Sequence, residues 1–344
     1  MKVDLIDYEK IYILNFFIFK MTEIFPRKVV YVSTSHSPLG EGNVSAIHDR
    51  MIFISDSLRE YAERKWSIEN VGRFSSVIPS AVDVEQNENS MRIHCGLTEY
   101  KMLLGMVKMA LERERTGLSE NIHGLSTEIM PLTLDKMFFL DKRSDAITQH
   151  GVGFYDIPTA GQSAQIYLKK AFETGPDLIK GKSDTDKMLD MFGFPRWNLV
   201  RHLGLNQDEI GDIFYTGFSR GFEVSLDSQF NGFARVIPEA REIMRRSNEE
   251  SRLVYRLEDV LDILSSIGNN GEEGQRLKED IYGNTPVPNG NGFRIIDDCL
   301  GTLLSNTFHL RGVDDYFQAL DILKKKDYDV IEVPQGIIHL DDLN

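Results

Sequence analysis

Three basic side chains, Arg196, Arg201 and His202, fall within seven residues of one another in Arg196-Trp-Asn-Leu-Val-Arg-His-Leu-Gly-Leu205. On a short helix they make the local field positive, which suits an anionic ligand held directly: a metal-free clamp for phosphate or carboxylate. They do not suit magnesium, because a guanidinium has no lone pair to offer and a hard cation prefers oxygen to imidazole. The alternative is that they are ordinary solvated or helix-end side chains, since arginine lays its stem over apolar surface readily. Hydrolysis of a phosphoanhydride would need a divalent cation held by oxygen ligands. Acids that could supply them lie elsewhere, at Asp177, Asp184, Asp186 and Asp190, and in a later loop with Glu239, Glu242, Glu249 and Glu250. Mg or Mn enters only if such carboxylates provide the ligands, and with 53 acids in the chain most such clusters are solvated surface.

The wider pattern has three parts: Met137-Phe-Phe-Leu-Asp-Lys-Arg143, His150-Gly-Val-Gly-Phe-Tyr-Asp-Ile-Pro-Thr-Ala-Gly161, and the stretch that ends in Gly204-Leu205. It resembles the Nudix hydrolase superfamily, in which an apolar strand closing on a basic residue precedes a glycine-aromatic-x-x-Pro segment and then the Nudix box. The box is Gly, five residues, Glu, seven residues, then Arg-Glu-U-x-Glu-Glu-x-Gly-U, where U is a bulky aliphatic. With Gly204 and Leu205 on its final Gly-U, Leu199 takes the inner U. Trp197 then stands for the Arg, Asn198 for the first Glu, and Arg201 and His202 for the paired glutamates. Counted from Gly161, the box asks for a glutamate at 167 and an arginine at 175, where Tyr167 and Gly175 stand, so residues 163–193 would carry an insertion.

The resemblance implies a Nudix-like mixed-sheet α/β/α sandwich over residues 124–265, with an N-terminal α/β extension (1–123) and C-terminal helices (266–344). It also implies a ligand pocket. The basic residue closing the strand, Arg143, would meet phosphate, and Phe154 or Tyr155 would stack a base or sugar; as plain side chains, these two aromatics read equally well as core. Arg220, on a following hairpin, is a further pocket candidate. The implied partner is a nucleoside diphosphate-linked or related phosphorylated small molecule, with hydrolysis absent, weak or dependent on acids outside the box. The alternative is a non-catalytic interaction or sensor protein that keeps the fold as scaffold.

Composition narrows the classes. With 41% hydrophobic and 27% charged residues the 344-residue chain reads as a soluble globular protein. A formal charge of −14 argues against general nucleic-acid binding. Cys95 and Cys299 form no metal or redox motif, and eight scattered histidines lack zinc-site spacing. A reducing cytoplasm is the expected setting. The apolar run over 11–19 is short for a bilayer and is preceded by Asp4, Asp7 and Glu9, unlike a signal peptide. Met21 reads as an alternative start to Met1.

The elements that must position these residues follow from periodicity. Strands are expected over 28–33, 51–54 and 90–95 and a helix over 57–65. Another helix should start at Thr98 as N-cap and run through Arg115 to Gly117. After the box helix come three alternating segments, 213–220, 222–226 and 230–237, then a strand end and helix over 255–264. The loops 268–274 and 285–292 separate off two helices, 295–304 and 313–324, which pack back on the core or on a second subunit.

Overall fold

The computed structural model describes residues 28–69, 75, 77–112, 122–143, 154–159, 161–162, 188–189, 191–221, 228–247, 252–268 and 295–343. The N-terminal part alternates strands and helices: β1 (Lys28–Leu39), β2 (Val44–His48), α1 (Asp56–Glu69), β3 (Val77–Gln86), β4 (Met91–Glu99) and α2 (Tyr100–Glu112). The middle contains β5 (His123–Leu132), β6 (Met137–Lys142), the two-residue strands β7 (Tyr155–Asp156), β8 (Gly161–Gln162) and β9 (Met188–Leu189), then α3 (Gly193–Leu203). It continues through β10 (Ile210–Gly221), β11 (Ser228–Val236), α4 (Ala240–Ser247), β12 (Leu253–Arg256) and α5 (Val260–Ser266). The chain closes with α6 (Asp297–Leu310), α7 (Val313–Lys325), β13 (Tyr328–Glu332) and β14 (Gly336–His339).

Eleven of these strands form one mixed sheet in the order β13-β1-β10-β11-β5-β3-β4-β2-β9, with β14 added to β3 and β8 to β5. The pairs β1/β13, β5/β11 and β2/β4 are parallel and the rest antiparallel. A three-stranded antiparallel sheet, β12-β6-β7, lies beside it. The fold is therefore α/β with a mixed sheet and seven α-helices among the described residues. Strands from segments 1–123, 124–265 and 266–344 share the large sheet.

Strand alternation sorts side chains onto two faces. On one face Leu125, Ile129, Phe218 and Phe230 join Leu199 and Leu203 of α3, together with Ile338 and Leu340 from the C-terminal end. On the other, Val30, Val32, Met130 and Phe233 pack against α5, α6 and α7. A third apolar cluster lies between α1 and α2. Helix α6 comes unusually close to the sheet at Gly301, where an added Cβ would lie 2.2 Å from the Ser219 side chain.

Several local expectations give way to tertiary pairing. Thr98 is not a helix cap but a residue of β4, which pairs with β3 as far as Glu99, so the helix starts at Tyr100. Residues 51–54 form no strand, although Asp49 and Arg50 both donate backbone N–H groups to the Cys95 carbonyl. Much of the acidic loop expected around Glu239 and Glu242 is helix α4, in which Arg246 pairs with Glu242 one turn earlier. Residues 222–226 and 163–187, with Asp177, Asp184 and Asp186, lie outside the described residues, as do Asp190, Glu249 and Glu250. Among the described residues no helix is long and apolar enough to cross a membrane.

Candidate functional site

Helix α3 holds the first group of candidates. Pro195 sits in its first turn, where the missing N–H would have no intrahelical partner anyway, and Gly204 ends it in the left-handed region at φ 64°. Leu199 and Leu203 face the sheet, which brings Asn198 inward as well. Its Nδ2 donates to the Thr159 carbonyl at 3.1 Å. The Thr159 hydroxyl in turn bonds to the backbone of Ile129 on β5, so Asn198 is the first link in a tie between helix, turn and sheet. Arg196 reaches the other way and donates to the carbonyls of Ile210 (2.9 Å) and Gly211 (3.3 Å). Arg201 is exposed, with its guanidinium 5.1 Å from the centre of the Trp197 ring, and Trp197 stacks on Phe194. The His202 side chain is half-buried and its carbonyl accepts from Arg252, which also forms a two-pronged ion pair with Asp141.

A second group lies beneath α6. Its Thr302, Ser305, Asn306 and His309 recur at three- and four-residue spacing and so share the face toward the sheet. They meet polar partners there. The Thr302 hydroxyl lies between the Glu128 carboxylate and Asn231 Oδ1 (2.8 Å), and Asn231 donates to Ser305 Oγ at 3.3 Å. Thr216 donates to Asn306 at 2.9 Å, and His309 Nε2 lies 3.3 Å from Ser35 Oγ. At one end of this seam, Glu128, Asp156 and Cys299 bring carboxylate and thiol atoms within 4.8 Å of one another, all three buried. Arg143 closes the group by donating from Nε (2.8 Å) and Nη2 to the same oxygen of Asp156.

This donor set does not fit magnesium or manganese well. A thiol is a soft ligand where those ions want oxygen. Burial, and then the charges of Glu128 and Asp156, hold the Cys299 thiol well above its usual range, so it stays protonated. The carboxylates already accept from Arg143, from Thr302 and from the Ile157 backbone N–H. Chemically the group is a buried hydrogen-bonded network that joins β5, β7 and α6.

The pocket candidates of the sequence separate in the structure. Arg143 lies beside Asp156 on the α6 side, with Phe154 partly buried against the same apolar cluster and Tyr155 fully buried within it. Burial pushes the Tyr155 hydroxyl up to about 12. Arg196, Arg201 and His202 belong to α3 on the opposite face. Arg220 is 2% exposed beneath the C-terminal end, where its Nη1 donates to the Leu340 carbonyl at 2.7 Å. Glu128, Asp156 and Cys299 were not foreseen as a group. The available signal was a lone acid inside the apolar strand His-Gly-Leu-Ser-Thr-Glu-Ile-Met, a residue that is rarely buried without partners. No model of a known protein family matches the chain, and no curated protein is significantly similar to it in sequence.

Proposed function

We propose that the chain is a divergent Nudix-like protein that recognises a nucleoside diphosphate-linked or related phosphorylated small molecule, with phosphoanhydride hydrolysis absent, weak or dependent on acids outside the box. The observation that carries the reading is the state of α3. The position that the resemblance assigns to the first box glutamate is Asn198, and its amide is spent on the Thr159 carbonyl in the interior. The positions of the paired glutamates are Arg201, exposed beside Trp197, and His202. Such a helix offers an anion a cation and an aromatic face instead of offering a metal ion carboxylates. Arg143, 22% exposed at its side chain, is the other expected phosphate contact, and a ligand would have to share it with Asp156.

The rival reading, a scaffold with no small-molecule site, draws support from the internal duties of Arg143 and Arg196, both tied to groups of the protein itself. A thermal-shift screen of nucleotide sugars, ADP-ribose and dinucleoside polyphosphates separates the two, because a ligand that binds the native state raises the melting temperature. A shift that survives EDTA and disappears in Arg201→Ala supports the first reading. No shift with any phosphorylated compound supports the second.

A further inference from the structure

Arg220 and His123 meet on the α3 side of the sheet, under the last residues of the chain. Arg220 is among the largest buried side chains described, and its Nη1 donates to the Leu340 carbonyl. His123, also 2% exposed, has its Nε2 3.0 Å from the Asp341 carboxylate. Ser228 of β11 stands directly opposite Arg220 in the strand register, and its side chain is wholly buried. Neither the Ser228 hydroxyl nor Nδ1 of His123 has a hydrogen-bond partner among the described residues. A buried polar atom left unpaired carries an uncompensated desolvation cost, and these two lie beside a buried arginine.

Two groups of the C-terminal segment cover the arginine and the histidine. A carbonyl and a carboxylate, from Leu340 and Asp341, face the arginine and the imidazole. The cover rests on β14, four residues paired with β3, on the buried side chains of Ile338 and Leu340, and on an exposed contact of His339 with Asp83 at 2.7 Å. Burial and then the charge of Arg220 push the His123 imidazole down to about 4, so at neutral pH its ring is uncharged and offers one donor and one acceptor.

We propose that Arg220, His123 and Ser228 form a binding site for a phosphate group, which the chain's own Leu340–Asp341 segment fills as an intramolecular substitute. Phosphate matches this set because its oxygens accept from guanidinium and hydroxyl, while a protonated oxygen supplies the donor that the imidazole acceptor lacks. The site is independent of the Nudix-like reading of α3. It takes phosphate, free or as a monoester, when the C-terminal segment lifts away, so its apparent affinity is reduced by the fraction of time that segment is closed.

The test loosens and locks the segment in the full chain and measures binding of inorganic phosphate and methyl phosphate by calorimetry. His339→Ala with Asp341→Ala removes the exposed contact to Asp83 and the carboxylate that meets the buried His123, and leaves the apolar side chains of the segment in place. This double variant is expected to bind phosphate about tenfold tighter than the unmodified chain, as for a segment closed about nine-tenths of the time. Ile337→Cys with Glu85→Cys, partners across β14 and β3, should abolish binding when oxidised and restore it on reduction. In the loosened background Arg220→Met should abolish binding, and Ser228→Ala, which removes only a hydroxyl, should weaken it about tenfold. Binding of methyl phosphate as tight as inorganic phosphate identifies a monoester site, and binding of inorganic phosphate alone identifies a free-ion site. Equal affinity in loosened, locked and unmodified chains, absence of phosphate binding in the loosened chain, or full binding after Ser228→Ala would overturn the proposal.

Discussion

Replacing Asn198 with alanine asks whether this position has become structural. The amide Nδ2 donates at 3.1 Å to the Thr159 carbonyl in a setting where Asn198 is 3% exposed, so water cannot take its place freely. Loss of the bond removes a net stabilisation of about 1 kcal/mol and leaves a buried carbonyl unsatisfied at about 1–3 kcal/mol more, which gives roughly 3 kcal/mol in all. For a chain of 344 residues that lowers Tm by about 4 °C. Asn198→Asp adds a sign. Its carboxylate would face the Thr159 carbonyl acceptor to acceptor, so its folded-state pKa is raised, and the variant should regain stability relative to wild type as pH falls and the acid becomes a donor. Urea and thermal melts at pH 8 and pH 5 measure both effects, and phosphate release with Mg is followed in parallel. A Tm loss of less than about 1 °C for Asn198→Ala, together with loss of a Mg-dependent turnover in a folded protein, would show that Asn198 serves catalysis and not the tie to Thr159.

Other perturbations test the packing around the candidate sites. Gly301→Ala forces a methyl group to within 2.2 Å of Ser219 and must push α6 off the sheet, a cost of about 2–3 kcal/mol in chemical denaturation; the double variant with Ser219→Gly should recover most of it. Arg143→Ala strands the buried Asp156 and should destabilise by about 3 kcal/mol, whereas Arg143→Lys should recover about half, as read from urea midpoints. His123 gives a pH dependence. Its folded-state value of about 4 lies below the usual 6.5, so the unfolded chain binds the proton more readily, and stability present above pH 6.5 is lost as pH falls toward 4. The loss is about 3 kcal/mol, and it should disappear from the pH profile of His123→Gln.

The local pattern made part of this architecture legible. The apolar strand expected over 137–143, the helix leading to Gly204, and the helices expected over 295–304 and 313–324 match elements of the structure because each is set by neighbours in sequence, although the first of the last two runs on to Leu310. Thr98 misled because a side chain suited to capping a helix is equally at home in a strand, and pairing of β4 with β3 decided between them. The parallel alignment of β1 with β13, some three hundred residues apart, leaves no local trace. The same holds for the meeting of Glu128, Asp156 and Cys299, which reach one another only through the crossing of β5, β7 and α6. For the candidate site, residue types pointed to anion recognition, but not to the carbonyls and carboxylates that engage Arg143, Arg196 and Arg220 within the folded chain.

The most direct test of the proposed function is calorimetric titration of ADP-ribose and a nucleotide sugar into the protein, first in EDTA and then with Mg, with the products assayed after each run. The expected result is the same affinity in both media, weaker binding after Arg201→Ala, and intact ligand at the end. Binding that requires Mg, or turnover at ordinary enzymatic rates, would contradict it.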